Sequence, residues 1–456
     1  MLHMLSLSLL ALLPLTSSVW AVPTCSVQSS SSASAADAST TASSQSASGS
    51  LGNNDNKIAM SWYTGWHTNH LSPANVSWDK YTAVTYAFAV TTDDVNNVSL
   101  ALSSGPLLPV FVTEAHKHNV KALLTIGGWT GSRYFSTAVG SPENRTAFVE
   151  NMISLVKKYD LDGLDFDWEY PNRQGLGCNI VSPQDSENLL AFLQELRKNS
   201  VMQNLTISAA ATIKLFLGAD GNPMTDVSGF ASVLDYLAIM NYDVWGSWSK
   251  SVGPNAPLND TCASGDEQQG SAVSALKAWT DAGFPANKLL LGVGSYGHSF
   301  FVSNSSALAS SNSSSSSAGT SVPPGTLPLA PYPPFDATQQ PKGDSWDVVA
   351  ADEKDPCGVP LSISGNWNFR GLIDEGLLDH NGTATPGTGF RFDQCSQTPY
   401  VYDTKTQAMI SYDDVQSFAA KGKFIVDSGM AGFAMWEAAG DHNDLLLDSI
   451  NAAMGK

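Results

Sequence analysis

The sequence predicts a (β/α)8 barrel that carries a separate domain as an insertion. Three observations lead there: eight short apolar runs recur along the chain, amphipathic segments separate them, and one late connection is far longer than the rest. The runs are "KIAMSWY" (57–63), "AVTYAFA" (83–89), "KALLTIGG" (121–128), "LDGLDFDW" (161–168), "LTISAAA" (205–211), "YLAIMNYD" (236–243), "KLLLGVGSY" (288–296) and "AGFAMWE" (431–437). Stretches between them, such as "SPENRTAFVENMISLVKKYD" and "SPQDSENLLAFLQELRKN", set apolar residues three to four apart after a Ser cap, as helices lying on a core do. Eight strand-helix units without a long meander close into a barrel. A doubly wound sheet competes with that arrangement, but no Gly-rich dinucleotide turn follows the first run.

Taken in order, the chain opens with an apolar stretch from Leu5 to Leu15 and a small-residue junction at Val19 and Ala21. Residues 1–21 read as a secretory signal peptide, the apolar run being shorter than the ~20 residues of a spanning helix. Residues 22–56 are mainly Ser, Ala and Thr and cannot offset ordering entropy by burial, so a disordered leader is expected. The barrel is expected over 57–297 and 406–456. Between the seventh and eighth runs lie about 135 residues where a few loop residues and a helix suffice, so 298–405 is read as an insertion domain. It includes a Ser-rich loop, 303–321, that runs into "VPPGTLPLAPYPPF". The stretch "ISYDDVQSFAAKGKFIV" (410–426) then reads as the seventh barrel helix.

Composition narrows the function. In 456 residues, 42 acidic against 23 basic side chains give a net charge of −19 without Lys/Arg clustering. That argues against nucleic acid as a partner and, once the signal is removed, against a membrane surface. Sequons at Asn75, Asn97, Asn144, Asn204, Asn259, Asn304, Asn312 and Asn381 fit a glycosylated, secreted, extracellular surface. Five cysteines leave one over. Cys25, in the leader, is the odd one, and Cys178, Cys262, Cys357 and Cys395 then allow three pairings, of which Cys178–Cys262 with Cys357–Cys395 is the expected one. No two cysteines have zinc-ligand spacing.

The fourth run, "LDGLDFDWEYP" (161–171), places four carboxylates in what otherwise reads as a buried strand. Successive strand side chains alternate, so Asp165, Asp167 and Glu169 share one face and Leu164, Phe166 and Trp168 the other. The apolar set packs under helices while the acids point into the barrel, near the strand end where such barrels keep catalytic groups. Asp162 has the opposite parity and suits a structural role equally well. Crowded carboxylates raise one another's pKa, which supplies a general acid at mild pH. Glu169 stands highest, beside Tyr170 and Pro171. A purely structural ion-pair cluster would need several cations, and only Arg173 is near in sequence. A divalent cation would need companion His or Asp clusters at other strand ends, which are missing.

On these residues the sequence resembles glycoside hydrolase family 18, the chitinases, whose D-x-x-D-x-D-x-E signature is met by Asp162, Asp165, Asp167 and Glu169. "IGGW" (126–129), "MNYD" (240–243) and "GFAMWE" (432–437) support it, and the likeness spans roughly residues 57 to 453. The long insertion is similar to the α+β domain of the family's deep-cleft members. What the resemblance implies is hydrolysis of β-1,4 N-acetylglucosamine linkages with retention, the substrate's own 2-acetamido oxygen attacking the anomeric carbon. Glu169 would be the acid and then the base, and Asp167 would hold the acetamido N–H. Asp165 would share a proton with Asp167, and Tyr242 would orient the acetamido oxygen. Trp436 would floor the scissile sugar, Trp129 would stack on the leaving-group side, and Phe88, Met240, Asp243 and Tyr296 match other cleft positions. No metal or cofactor is implied, and chitin or chitooligosaccharides would be bound by a monomer.

Three positions depart from the family pattern: Thr125 replaces a Ser, Trp62 a Tyr, and His298 an Arg that contacts substrate or the insertion. The last bears on binding more than on catalysis. Trp245 and Trp248, in "DVWGSW", suit either an extended binding surface or loop packing. Two other activities fit the scaffold: a catalytically silent chitin-binding lectin, which would lack the acid that Glu169 supplies, and an endo-β-N-acetylglucosaminidase acting on N-glycans, whose relatives lack the large insertion.

Overall fold

The computed structural model describes residues 57–309 and 322–456. The expected signal peptide, the leader with Cys25, and the stretch 310–321 with Asn312 lie outside the described residues. Each of the eight apolar runs forms a strand: β1 (Ile58–Thr64), β2 (Ala83–Thr91), β3 (Lys121–Gly127), β4 (Gly163–Asp167), β5 (Thr206–Thr212), β6 (Tyr236–Met240), β7 (Leu289–Gly294) and β8 (Gly432–Trp436). All pair in parallel, each with its neighbours in sequence. The ring closes where β1 pairs with β8, Ile58 opposite Gly432, and with β2, Met60 opposite Ala83.

Alternation along the strands divides the core into two layers. Outward residues such as Tyr86, Ile126, Leu164, Phe166, Ile239 and Phe433 join the helices in the large core. Inward residues are smaller or fewer: Met60, Trp62, Ala87, Leu123, Ala210, Ala238, Leu290 and Ala434 fill the barrel. Ala210, Ala238 and Ala434 are small beside the Trp62 indole, which shares this layer and is fully buried. Truncating an outward ring such as Phe166, which meets Phe192 edge-on at 5.3 Å, would cost about 3–5 kcal/mol.

Helices cover the ring: α1 (Leu108–Lys117), α2 (Pro142–Tyr159), α3 (Asp185–Lys198), α4 (Ser228–Val233), α5 (Ala272–Asp281), α6 (Val415–Asp427) and α7 (Leu445–Met454). The link from β1 to β2 departs from the strand-helix rule. It holds only single turns, because Pro73 interrupts it and the Trp78 indole is tied back to the Pro73 carbonyl at 2.8 Å. Ser141 caps α2 as the sequence suggests, accepting from the Asn144 N–H at 3.2 Å. Ser182 does not cap α3. Asp185 instead accepts from the Ser182 N–H (2.8 Å) and the Ser136 hydroxyl (2.7 Å), which ties the loop down before the helix begins. Likewise α6 starts later than residue 410: Ala408–Ser411 is a strand, and Asp414 supplies the cap through the Ser417 N–H at 2.8 Å.

Between β7 and α6 the chain builds a second sheet of six strands. Its order is Leu327–Pro328, Gly389–Asp393, Thr398–Asp403, Ala408–Ser411, Tyr296–Phe301, Asn366–Asn368, mostly antiparallel, with a short helix at Phe369–Asp374. Phe300, Leu329, Tyr400, Tyr402 and Met409 make its own core, joined by Val252 from the loop after β6.

The disulfides are Cys178–Cys357 and Cys262–Cys395, with Cα separations of 5.5 and 6.1 Å, which corrects the expected pairing. The reason is topological. Cys178 and Cys262 belong to loops after β4 and β6, and each faces a different part of the inserted domain. Both bridges therefore join barrel to insertion, and neither lies within one of them. Of the sequons, Asn75, Asn97, Asn204, Asn304 and Asn381 are exposed, whereas the Asn144 amide is engaged with the Thr137 carbonyl at 2.9 Å.

Candidate active site

The β4 acids form a ladder up the barrel axis. Asp165 is fully buried at its foot and saturated: Oδ2 accepts from Trp62 Nε1 (3.0 Å) on β1 and Thr125 Oγ1 (2.9 Å) on β3, and Oδ1 from Ser208 Oγ (2.6 Å) on β5. Donors from three strands meet at one carboxylate because alternation turns all four side chains inward. Burial pushes its pKa up, and the bonds from Ser208, Thr125 and Trp62 oppose that rise. Thr125 and Trp62, both departures from the family pattern, thus act as donors to the same acid.

Asp167 sits one step higher and is 5 % exposed, yet its Oδ1 has no hydrogen-bond partner within the protein. Burial first, then the charges of Glu169 and Asp165, hold its pKa well above the ordinary carboxylate range. Glu169 stands just past the strand end, partly open to solvent. Burial raises its pKa to about 7, Asp243 adds to the rise, and a hydrogen bond from Tyr170 and the charge of Arg173 oppose it. The Arg173 guanidinium lies 4.1 Å over the Tyr170 ring. Asp162 is apart from this ladder and accepts from the Ala122 N–H (2.8 Å) and His116 (2.9 Å), a structural acid at the strand's start.

Close backbone approach holds the ladder's upper end. Gly127 (φ +110) and Gly128 (φ +78) adopt conformations that favour glycine. A Cβ on Gly127 would collide with the Asp167 carbonyl, and one on Gly128 would lie 2.7 Å from the Phe88 ring. The "IGGW" run is therefore a packing requirement of the site. Ser132 completes the junction, accepting from the Glu169 N–H at 2.9 Å and donating to the Gly128 carbonyl at 2.8 Å.

Around the ladder the structure gathers most of the expected side chains. Tyr242, Tyr296, Met240 and Trp436 pack together, the two Tyr rings edge-on at 6.0 Å. Burial and then the charges of Asp167, Asp243, Glu169 and Asp165 push the Tyr242 hydroxyl's pKa well up, so it stays a proton donor. Phe88, re-aimed by an extra residue in β2 between Tyr86 and Ala89, stacks on Trp436 at 5.4 Å and 19°. Peptide bonds Ala87–Phe88, Glu169–Tyr170 and Trp436–Glu437 are cis. Asp243 (φ +54) accepts from Tyr296 Oη (2.7 Å) and pairs with His298 Nε2 (2.6 Å), which gives the residue in the Arg position its partner. Trp129 stands apart, 48 % exposed, on the loop after β3. Trp245 is buried against Gly253 and Tyr332, a packing role, whereas Trp248 is 62 % exposed and meets His298 edge-on at 5.4 Å.

Three residues escaped the sequence reading. Trp66, just past β1, stacks on Phe88 at 6.1 Å and lengthens the aromatic floor. Glu437 is buried behind Trp436, bonded to Thr64 and to His67 Nδ1 (2.5 Å). Trp346, from the insertion, lies against His67 at 4.1 Å. The one available signal was "GWH" directly after the first strand, where an aromatic falls at a strand's C-terminal end.

Such a cleft of stacked rings over a ladder of pKa-raised acids suits a sugar chain and an acid-catalysed bond cleavage. Two relatives bear the name chitinase-like effector. That of Moniliophthora perniciosa is 48 % identical over 406 residues, 89 % of this chain and 89 % of its own. That of Moniliophthora roreri is 49 % identical over 398 residues, 87 % of this chain and 93 % of its own. Among solved structures, a chitinase from Rhizomucor miehei superposes with a TM-score of 0.74 at 31 % identity, over 87 % of this chain and 100 % of that one. The model for glycosyl hydrolases family 18 matches residues 58–441, and the chain belongs to that family.

Proposed function

We propose that the protein is a secreted chitinase that cleaves β-1,4 N-acetylglucosamine linkages with retention, through an oxazolinium intermediate. The observation that carries the reading is the unpaired Asp167 Oδ1, buried between a saturated Asp165 and a Glu169 whose pKa lies near 7. A carboxylate oxygen left without a donor in a buried site calls for one from a ligand, and an acetamido N–H supplies it. Tyr242, held protonated, is the matching donor for the acetamido oxygen. Glu169 protonates the glycosidic oxygen as the acetamido oxygen attacks C1. The leaving sugar departs with that proton, and Glu169 then takes a proton from water as it opens the oxazolinium. Asp167, ionised once the acetamido N–H bonds it, balances the cation between those steps.

The test is proton NMR of fresh digests of partly acetylated chitosan. The β anomer appearing first, with N-acetylated sugars at the new reducing ends, is the expected result. First appearance of the α anomer, or much glucosamine there, would point to an inverting pair or a protein nucleophile.

A second reading follows from the name of the two half-identical relatives: a chitin-oligomer binder with little turnover. The same digests separate the two, since a binder would hold chitooligosaccharides and release nothing. The complete set Asp165, Asp167, Glu169 and Tyr242 favours turnover.

A further inference from the structure

Residues 344–365 leave the second sheet as a long loop whose neck is clamped shut. Asp344 accepts from the Asn368 N–H (2.6 Å), and Asp347 accepts from the N–H groups of Gly343 (2.8 Å), Ser364 (2.7 Å) and Gly365 (2.9 Å). Beside the neck Trp346 lies against His67 and His70, at 4.1 and 4.4 Å. His67 is bonded to Glu437, so the neck stands on the lip formed by β1 and β8, at the Trp66–Phe88–Trp436 floor.

The tip is fastened elsewhere. A small hairpin, Lys354 opposite Pro360 with Asp355 accepting from the Cys357 and Val359 N–H groups at 2.8 Å, presents Cys357 to Cys178. Arg133 donates to the Pro356 carbonyl at 3.3 Å, and its own carbonyl accepts from the Ile180 N–H at 3.0 Å. Arg133 follows Trp129 on the β3 loop. Cys178 is in the β4 loop, next to Asn179, whose amide holds the Glu169 carbonyl at 2.9 Å. His67 and His70 follow β1 and Cys178 follows β4, three strands on round the ring of eight. Ten residues lie between Trp346 and Cys357, folded through a turn at Ala350–Glu353, and they carry the chain from one contact to the other.

We propose that residues 344–365 form a fixed bridge over the cleft, so that a single N-acetylglucosamine chain enters by a free end and cannot be laid in from the side. The neck contact at Trp346 and the tip bond at Cys357 are independent anchors on facing lips, and a segment held at both ends does not swing clear as a lid does. The bridge rests on the chitin reading of the site and sharpens it: it selects chain ends, keeps a cut chain in place for the next cut, and excludes the interior of a long polymer.

The experiment compares the full-length protein with two opened forms, Cys178→Ser/Cys357→Ser and Trp346→Ala. Each is given chitohexaose and soluble glycol chitin, and for each the polymer-to-hexaose affinity ratio and the viscosity lost per new reducing end are measured. The expected result is that the intact protein prefers the hexaose and thins the polymer little per cut, while opening either anchor raises both quantities several-fold. Binding reports on the bridge even if turnover is weak, and each opened form guards against misfolding of the other. An unchanged ratio in folded opened forms, or lateral cutting of the polymer by the intact protein, overturns the bridge and leaves the chitinase reading standing. Failure of every form to bind the hexaose overturns the sugar reading itself.

Discussion

The floor of the barrel and its rim are built on different principles. On the floor, Asp165 takes donors from β1, β3 and β5, and each comes from a strand whose alternation fixes its direction. On the rim, His298 meets Asp243, Trp346 meets His67, and Cys357 meets Cys178, each pair joining the inserted segment to a loop of the barrel. The floor is rigid and presents charge that is hard to move. The rim sets what reaches it. Changes on the floor should therefore act on turnover, and changes on the rim on affinity and access.

The largest expected effect is on the floor. Glu169→Gln removes the proton donor of the proposed mechanism while keeping shape, so kcat should fall by ~10²-fold or more with oligosaccharide affinity retained. Rates near those of the wild type would detach catalysis from the ladder altogether. Next comes the floor's edge. Trp436→Ala deletes the ring stacked on Phe88 and should weaken chitooligosaccharide binding by about 1–3 kcal/mol in titration calorimetry. Unchanged binding with a large loss of thermal stability would make Trp436 a core residue only.

A smaller change is expected on the rim. His298→Ala frees Asp243, whose side chain is 48 % exposed, so solvent screens much of the loss. KM should rise about threefold to tenfold with kcat nearly constant. If kcat fell instead and KM held, His298 would belong with the floor, and the division between the two regions would fail at that point.

The two regions also differed in how far they could be read from the chain alone. Period-2 alternation placed Asp165, Asp167 and Glu169 on one face, and the ladder stands there. Runs of apolar residues located all eight strands, because each strand buries its outward face under helices. Pairings on the rim had no such signal. Cys178 and Cys357 are 179 residues apart, and nothing local to either says which loop its partner folds into. Trp66 and Glu437 are ordinary at their sequence positions and acquire meaning only when β1 and β8 close the ring. The missing helix after β1 has the same origin, since Pro73 and the tied-back Trp78 outweigh a general rule about barrel units.

The smallest predicted effect reads the floor's electrostatics through stability. Glu169 has a folded pKa of about 7, above its unfolded value, so between roughly pH 4.5 and 7 the folded state holds a proton that the unfolded state has lost. Stability from this group is full below the unfolded pKa and is lost as pH rises through the folded one. Glu169→Gln has no proton to lose there. Its Tm should match the wild type near pH 4 and exceed it by a few degrees at pH 7 to 8, the gap opening across that window. Asp165 remains in both proteins and cancels in the difference, whereas Asp167 loses the Glu169 charge that helps to raise its pKa, which adds to the variant's advantage at the alkaline end. Thermal melts of the pair at half-unit pH steps measure it. A gap that stays flat with pH would mean Glu169 titrates at an ordinary carboxylate pKa, and its fitness as the acid above pH 5 would go with it. Activity of the wild type should decline over the same alkaline limb, because in the proposed mechanism the proton whose loss destabilises the fold is the one passed to the leaving sugar.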